Sequence, residues 1–281
     1  MRNRTKDRDE RYIRLALRLA KKAEGRTSPN PLVGAVIVRN GRVLGKGYHH
    51  KAGYPHAELN ALKNVKGELK GSTLYINLEP CCHFGRTPPC TQAIKESGIK
   101  RVIIGMKDPN PLVSGRGILA LRRKGIEVRT GILEEQCKRL NEAYIKFITT
   151  KTPFVILKLA LSLDGKLATS RGESRWITGS ESLRHAHGLR DKVDAILVGV
   201  GTVLKDDPLL TTRLPIPYQR RGSPLAARLP DRKGKDPIRI IVDSGLRIPN
   251  NARLLRSTSK ARTIIATTRL APEDKIKSLQ R

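Results

Sequence analysis

Residues 78–90 read LEPCCHFGRTPPC and hold three of the chain's four cysteines, Cys81, Cys82 and Cys90. Upstream, HAELNALKNV opens with His56 and carries Glu58. Two thiolates and one imidazole, from Cys81, Cys90 and His56, make a tetrahedral Zn²⁺ set whose fourth position is left for water. Glu58 stands two residues after His56 in the same first helical turn. There a carboxylate can reach that water without binding the metal, and can carry protons between water, substrate and leaving group. Pro88-Pro89 can start a helix at Cys90, whose thiolate the helix N-terminus would stabilise. Plainer readings compete with this one. Cys81 and Cys82 can be small buried hydrophobes. A closed Cys₂His₂ site can recruit His83, although Cys82 and His83 sit too close to Cys81 for comfortable tetrahedral ligation. A CxxC redox pair is excluded, because that spacing does not occur. Cys82 is expected to be a non-ligand.

These residues need elements to hold them. RDERYIRLALRLAKKA (8–23) has helical spacing, with Gly25 suited to the position just past the helix end. PLVGAVIVRNGRVLGKGY reads as a hairpin turning on Asn40-Gly41, a type I′ signal. Helices are expected over 56–65, from Cys90 to about Ser97, near 117–124 and over 133–147. Strands are expected at 73–79 and 101–105 and in IEVRTGI. The alternation points to an α/β sheet with helices on its faces. TTKTP (149–153) suits a domain boundary, so the expectation is a unit over 1–149 and another over 153–281. In the second, FVILKLALSLDGK (154–166) reads as a strand and turn, with a helix around 181–191. DAILVGVGTV (194–203) reads as a buried strand entering a Gly-rich turn. Residues 213–237 read as a surface loop, and PIRIIVDS and RTIIATT as strands.

The composition bounds what such a site can serve. The 281 residues are enough for two domains at about 100–200 each, and 38% hydrophobic content supports a core. No apolar run reaches the roughly 18 residues a membrane helix needs, so no membrane partner is expected. MRNRTKDRDERY lacks the apolar segment of a secretory signal, and Asp7, Asp9 and Glu10 interrupt a transit-peptide pattern. Few and clustered cysteines argue against a disulfide framework and for a reducing cytoplasm. The net charge of +31 suggests nucleic acid. However, the excess is even, +17 over 1–150 and +14 over 151–281, and ten aromatics are few for stacking bases. No specific nucleic-acid partner is expected; anionic phosphorylated substrates would benefit.

H-x-E followed by Pro-Cys and a second Cys has the form of the zinc-deaminase signature. Here the cysteines are separated by eight residues rather than two. With SPNPLVGAVIV (28–38), HAE (56–58) and DPNPLVSGRGI (108–118), the loop EPCCHFGRTPPC closely resembles the bifunctional deaminase/reductase family of riboflavin biosynthesis, over residues of about 10–150 in order. The resemblance implies a cytidine-deaminase-like three-layer α/β domain. It would act on 2,5-diamino-6-(5-phosphoribosylamino)pyrimidin-4-one, with Glu58 catalytic. By the same resemblance, Asn30, His49, His83, Arg86, Asp108 and Asn110 would line the substrate pocket. Asn and Asp can satisfy ring donors and acceptors, and His83 and Arg86 can meet the phosphate. An Asn between prolines can also merely shape a turn.

KLALSLDGKLAT (158–169), SRWITG (174–179) and VGVGTVLKDDPLLTTR (198–213) resemble the reductase half of that family. This implies a dihydrofolate-reductase-like domain using NADPH to open the ribosyl ring to a ribityl chain. Gly199 and Gly201 after an apolar strand let the backbone approach a cofactor phosphate, although a GxG alone is often a plain turn. The resemblance implies that Ala160, Trp176, Thr202, Asp206 and Ser244 contact NADPH. It also implies that Lys158, Ser174, Arg190, Leu210 and Arg213 hold the substrate, with the two arginines on its phosphate. The family extends beyond SLQR into a Gly-rich EGG segment, so this half is expected to be truncated relative to the family. A homodimer through it is what the family suggests. Three rivals stay open: a deaminase with an inactive reductase half, a nucleic-acid deaminase, and a non-enzymatic basic protein with a structural zinc.

Overall fold

The computed structural model of the chain describes residues 2–84, 88–172, 177–213 and 234–280. It divides into two compact units, Met1–Ile156 and Leu157–Arg281. Among the described residues, no helix is long and apolar enough to cross a membrane.

The first unit opens with α1 (Arg2–Ala20), extended by one 3₁₀ turn, Lys21–Ala23, and closed by Gly25 at φ 78°. Strands β1 (Gly34–Arg39) and β2 (Arg42–Tyr48) form the expected hairpin; Asn40 and Gly41 both take positive φ, 48° and 76°, as a type I′ turn requires. Then follow α2 (Ala57–Lys63), β3 (Thr73–Leu78), α3 (Cys90–Glu96), β4 (Arg101–Met106), α4 (Arg116–Arg122) and β5 (Glu127–Thr130). The sheet order is β2-β1-β3-β4-β5, with β1 antiparallel to β2 and β3, and β3, β4 and β5 parallel.

Both faces of this sheet are covered, which explains the near-continuous apolar strands. Ala35, Ile37, Leu74, Ile76, Val102 and Ile104 face α2, α3 and α4. Val36, Tyr75 and Ile103 face α1 and the C-terminal helices with Ile13, Ala16 and Cys137. The result is a three-layer α/β/α unit. The helices lie close: a Cβ on Gly47 would meet the Ala61 nitrogen of α2 at 2.3 Å.

Where one helix is expected over 133–147, two form, α5 (Glu134–Leu140) and α6 (Glu142–Thr150). They part at Asn141, with φ −111° and ψ 19°. Its side chain leaves the helix pattern to bond the backbone of Leu32, donating to the carbonyl at 3.0 Å and accepting from the amide at 2.8 Å. Asparagine is a weak helix former because it competes for backbone partners.

The second unit contains α7 (Ser180–Lys192), β6 (Ala195–Gly199), α8 (Val200–Asp206), β7 (Ile238–Val242), β8 (Thr263–Ala266) and α9 (Glu273–Leu279). Strands β6, β7 and β8 are parallel in that order. One face packs Ile196, Val198, Ile241 and Ile265 against Val200 and Val203 of α8 and Ile276 of α9. The opposite face leaves Leu197 61% and Ile264 41% exposed.

Two expectations fail here. FVILKLALS forms no strand: among the described residues nothing pairs with 154–161, and Val155 and Leu157 are both 79% exposed. Apolar alternation alone does not make a strand, because its amides and carbonyls need a neighbouring ladder. The turn after it does form, with Gly165 at φ 81° and its amide bonded to the Ser162 carbonyl. The Gly-rich turn after β6 is instead the start of α8, with Gly199 extended at φ −77° and Gly201 inside the helix. The expected loop 213–237 lies largely outside the described residues.

Asp9, fully buried on α1, fastens the first helix to the sheet. Its carboxylate accepts from Tyr75 Oη of β3 and from an Arg129 guanidinium nitrogen of β5, each at 3.0 Å. Burial and the Asp9 charge push the Tyr75 hydroxyl well above its ordinary pKa, so it stays a donor. Asp9→Ala strands the buried Tyr75 hydroxyl, while half-exposed Arg129 can turn to water, and is expected to cost about 1–3 kcal/mol. Asp9→Asn, which keeps one acceptor, should cost less. Urea denaturation followed by far-UV circular dichroism checks this; an unshifted Asp9→Ala midpoint contradicts it.

Candidate active sites

The strand directions gather the deaminase-type residues. Strands β2, β3 and β4 run the same way, so Tyr48, Leu78 and Met106 end at one sheet edge, where β1 begins. Residues 30–33 enter there, and 49–56, 79–84 and 107–115 leave from it. His56 is the residue before α2, with extended backbone, and Glu58 lies in that helix's first turn. Pro89 occupies the same place before α3, which starts at Cys90.

His56 Nδ1, Cys81 Sγ and Cys90 Sγ all lie within 4.8 Å of one another. Nδ1 is 3.5 Å from Cys81 Sγ and 3.2 Å from Cys90 Sγ. Ordinary zinc–nitrogen and zinc–sulfur bonds at tetrahedral angles set a nitrogen–sulfur edge of about 3.5 Å. The three groups therefore fit a zinc ion by donor type and by spacing. Cys82 Sγ lies outside this group, directed at the Leu112 carbonyl at 3.9 Å. Cys137 is buried against Gly105, and burial pushes its thiol up to about 12, which makes it inert packing.

The two sulfurs differ in how firmly they hold a proton. A hydrogen bond from Cys90, then one with His56, pulls the Cys81 thiol down to about 4, and the Cys90 amide donates to Cys81 Sγ at 3.3 Å. Cys90 itself is pushed far up by that same thiol–thiol bond and by burial. The first amide of α3 thus reaches the sulfur of Cys81. His56 is raised by its bond to Cys81. These are the protons that a metal displaces on binding.

Glu58 is 3% exposed. Burial first, then the Cys81 charge, pushes its carboxyl up to about 7, and it reaches the Cys90 thiol by a hydrogen bond. A buried carboxyl beside a metal-type ligand set, and not part of it, can take and give a proton.

Around this centre, Asn30 and His49 meet: the Asn30 amide donates to His49 Nε2 at 3.0 Å, and His49 Nδ1 donates to the Pro55 carbonyl at 3.2 Å. That pattern fixes a neutral ring, and burial lowers the pKa of His49 accordingly. Its ring stands edge-on to His56, with centroids 5.4 Å apart. Asp108 accepts from the Asn110 amide at 2.9 Å and from Tyr144 Oη at 3.0 Å. Exposed His83 is near enough for its charge to act on Asp108. Arg86 lies outside the described residues.

Sequence reading missed Tyr144, Asn77, Asn141 and Glu79. Asn77 and Asn141 both donate to the Leu32 carbonyl, and Asn77 accepts from the Gly34 amide at 2.8 Å, so they shape the segment that presents Asn30. A polar residue inside the apolar strand TLYINLE was the available signal. For Tyr144, 36 residues from its partner, there was none.

In the second unit, α7 is tied to residues 210–213. Arg190 donates to the Thr211 carbonyl at 3.2 Å, and the Arg213 amide donates to His187 Nδ1 at 3.0 Å. Burial and the neighbouring Arg213 charge lower the Arg190 pKa. Two cations held together beside buried Leu210 suit a dianionic phosphate. Thr202, in the first turn of α8, and Ser244, just past β7, border the carboxyl edge of the parallel sheet, the usual side for a dinucleotide. A Cβ on Gly199 or Gly201 would meet nothing within 4 Å, which leaves open space there for a cofactor. Exposed Asp206 ends α8, and Lys158 and Ala160 stand in the unpaired run. Ser174 and Trp176 lie outside the described residues.

Two family models match: the cytidine and deoxycytidylate deaminase zinc-binding region over residues 6–106 and the RibD C-terminal domain over residues 153–280. The riboflavin biosynthesis protein RibD of Aquifex aeolicus is 51% identical over 259 residues, 92% of this chain and 68% of the relative. RibD of Escherichia coli is 43% identical over 248 residues, 88% of this chain and 66% of the relative. The crystal structure of the deaminase/reductase from Thermotoga maritima superposes with a TM-score of 0.83 at 44% identity, over 94% of this chain and 70% of that one. An Acinetobacter baumannii RibD structure gives 0.81 at 36% identity, over 97% and 72%. The chain thus spans about two thirds of the length of the curated relatives it matches. It belongs to the RibD family, the bifunctional deaminase/reductase proteins of riboflavin biosynthesis.

Proposed function

We propose that residues 1–149 deaminate 2,5-diamino-6-(5-phosphoribosylamino)pyrimidin-4-one and that residues 153–281 carry the NADPH-dependent reduction of its ribosyl group. The observation that carries the first half is a buried carboxyl, Glu58, enclosed with the His56, Cys81 and Cys90 side chains.

His56, Cys81 and Cys90 would hold Zn²⁺, which when bound supplies a water acidic enough to lose a proton near neutrality. Glu58 would carry that proton to the ring nitrogen and then a second, from the added hydroxyl, to the departing amine, so ammonia leaves and oxygen takes its place. Asn30 and neutral His49 orient the ring on one side, and Asp108 and Asn110 on the other. His83 and Arg86 meet the phosphate.

In the second half, Ala160, Trp176, Thr202, Asp206 and Ser244 would hold NADPH, the source of the reducing equivalent. Arg190 and Arg213 grip the substrate phosphate, with Lys158, Ser174 and Leu210 along the sugar. The partner is a small phosphorylated pyrimidine, with a second copy joined through the reductase half. Four cysteines without a disulfide suit a reducing cytoplasm.

The deciding experiment gives the purified protein the pyrimidine with and without NADPH and identifies the products; deamination without reduction would confine activity to the first half. Glu58→Gln is expected to keep stoichiometric zinc and lower kcat for deamination roughly a thousandfold. Undiminished turnover removes Glu58 from its role. Cys90→Ala should lose the metal by elemental analysis, and a full zinc complement would contradict the ligand set. Arg213→Ala should raise KM in the reductase step about tenfold with kcat little changed, read by NADPH oxidation.

A further inference from the structure

Glu79 is 3% exposed, although it leaves β3 only two residues before Cys81. Its backbone amide still follows the β3–β4 ladder, donating to the Met106 carbonyl at 3.0 Å. The side chain serves a different segment. Oε2 accepts from the Asp108 amide at 3.2 Å and the Gly115 amide at 3.0 Å, and Oε1 accepts from the Ile118 amide at 3.1 Å.

Three amides spread over eleven residues therefore converge on one carboxylate. Two of them belong to the start of α4, which has no capping side chain of its own: the residue before it is Gly115, at φ 78°. A helix start leaves amides without intrahelical acceptors, and they must be satisfied from elsewhere. Here the acceptor comes from a strand more than thirty residues away. An ionised carboxylate offers only acceptors, so it matches an all-donor surround that a carboxamide does not. The contact is also sterically closed: a Cβ on Gly117 would meet the Pro80 carbonyl oxygen at 2.2 Å and Glu79 Oε1 at 3.2 Å.

We propose that Glu79 is a positioning residue of the deaminase centre: it locks the segment 108–118, and with it Asp108 and Asn110, to the turn that carries Cys81. The hydrogen bonds of its carboxylate go to residues 108–118 rather than to His56, Cys81 or Cys90. It acts by making the ring-binding loop and the ligand-bearing loop one rigid piece, so that substrate orientation is set by the same carboxylate that flanks Cys81. This rests on the reading of Asp108 and Asn110 as substrate groups.

The test is Glu79→Gln in the full chain, in which an amide N–H₂ must face a backbone donor. Zinc stays at one per chain, kcat at saturation stays within about threefold, and KM for the pyrimidine rises about tenfold. A wild-type KM in a folded, zinc-loaded Glu79→Gln protein overturns the proposal. Hydrogen exchange on the unsubstituted protein gives a second reading that needs neither variant nor substrate. The Asp108, Gly115 and Ile118 amides should exchange at least about a hundredfold slower than free peptide rates; free-peptide rates would overturn the clamp. Failure of the unsubstituted protein to deaminate the pyrimidine would instead strike at the functional reading and leave the exchange result to judge Glu79.

Discussion

The deaminase centre depends on β2, β3 and β4 ending at the same sheet edge. A hairpin places β2 antiparallel to β1, and β1 is antiparallel to β3, so β2 and β3 share a direction; β4 then pairs parallel to β3. Four segments far apart in sequence are forced into one cleft by that handful of ladders. Each strand end contributes a different chemistry: a histidine before one helix, a pair of thiols around another, and carboxylates and amides from the last. The buried faces above and below make the ladders costly to slip, because a one-residue shift would turn Leu74 and Ile76 out of their core.

Within the cleft, burial is what turns ordinary side chains into reactive ones. Glu58, His49 and Asp108 all depart from their usual behaviour chiefly through loss of water, and the two sulfurs depart through each other. Elsewhere, Arg190 of α7 and Arg213 lie close enough for their charges to act on each other.

Much of the first unit was legible in the sequence. Periodicity found the hairpin and most helices and strands, because both sheet faces are buried by short-range patterns. The metal-type residues could be read because ligand chemistry restricts them to a few residue types at helix starts. What could not be read was tertiary. The split at Asn141 depends on Leu32, over a hundred residues away. Glu79 looks like any strand-ending acid until α4 is seen beside it. In the second unit, 154–161 has strand composition, yet composition cannot supply a partner. The start of α8 resembles a turn because two glycines mask a short helix.

The peptide of Leu32 illustrates a different kind of dependence. Its carbonyl receives one hydrogen from Asn77 and one from Asn141, while its own amide is held by Asn141 alone. A strand and a helix break thus cooperate on a single peptide unit, so the losses from substituting the two asparagines need not add. Such a shared anchor ties the histories of positions 77 and 141 together: drift at one changes what the other can tolerate.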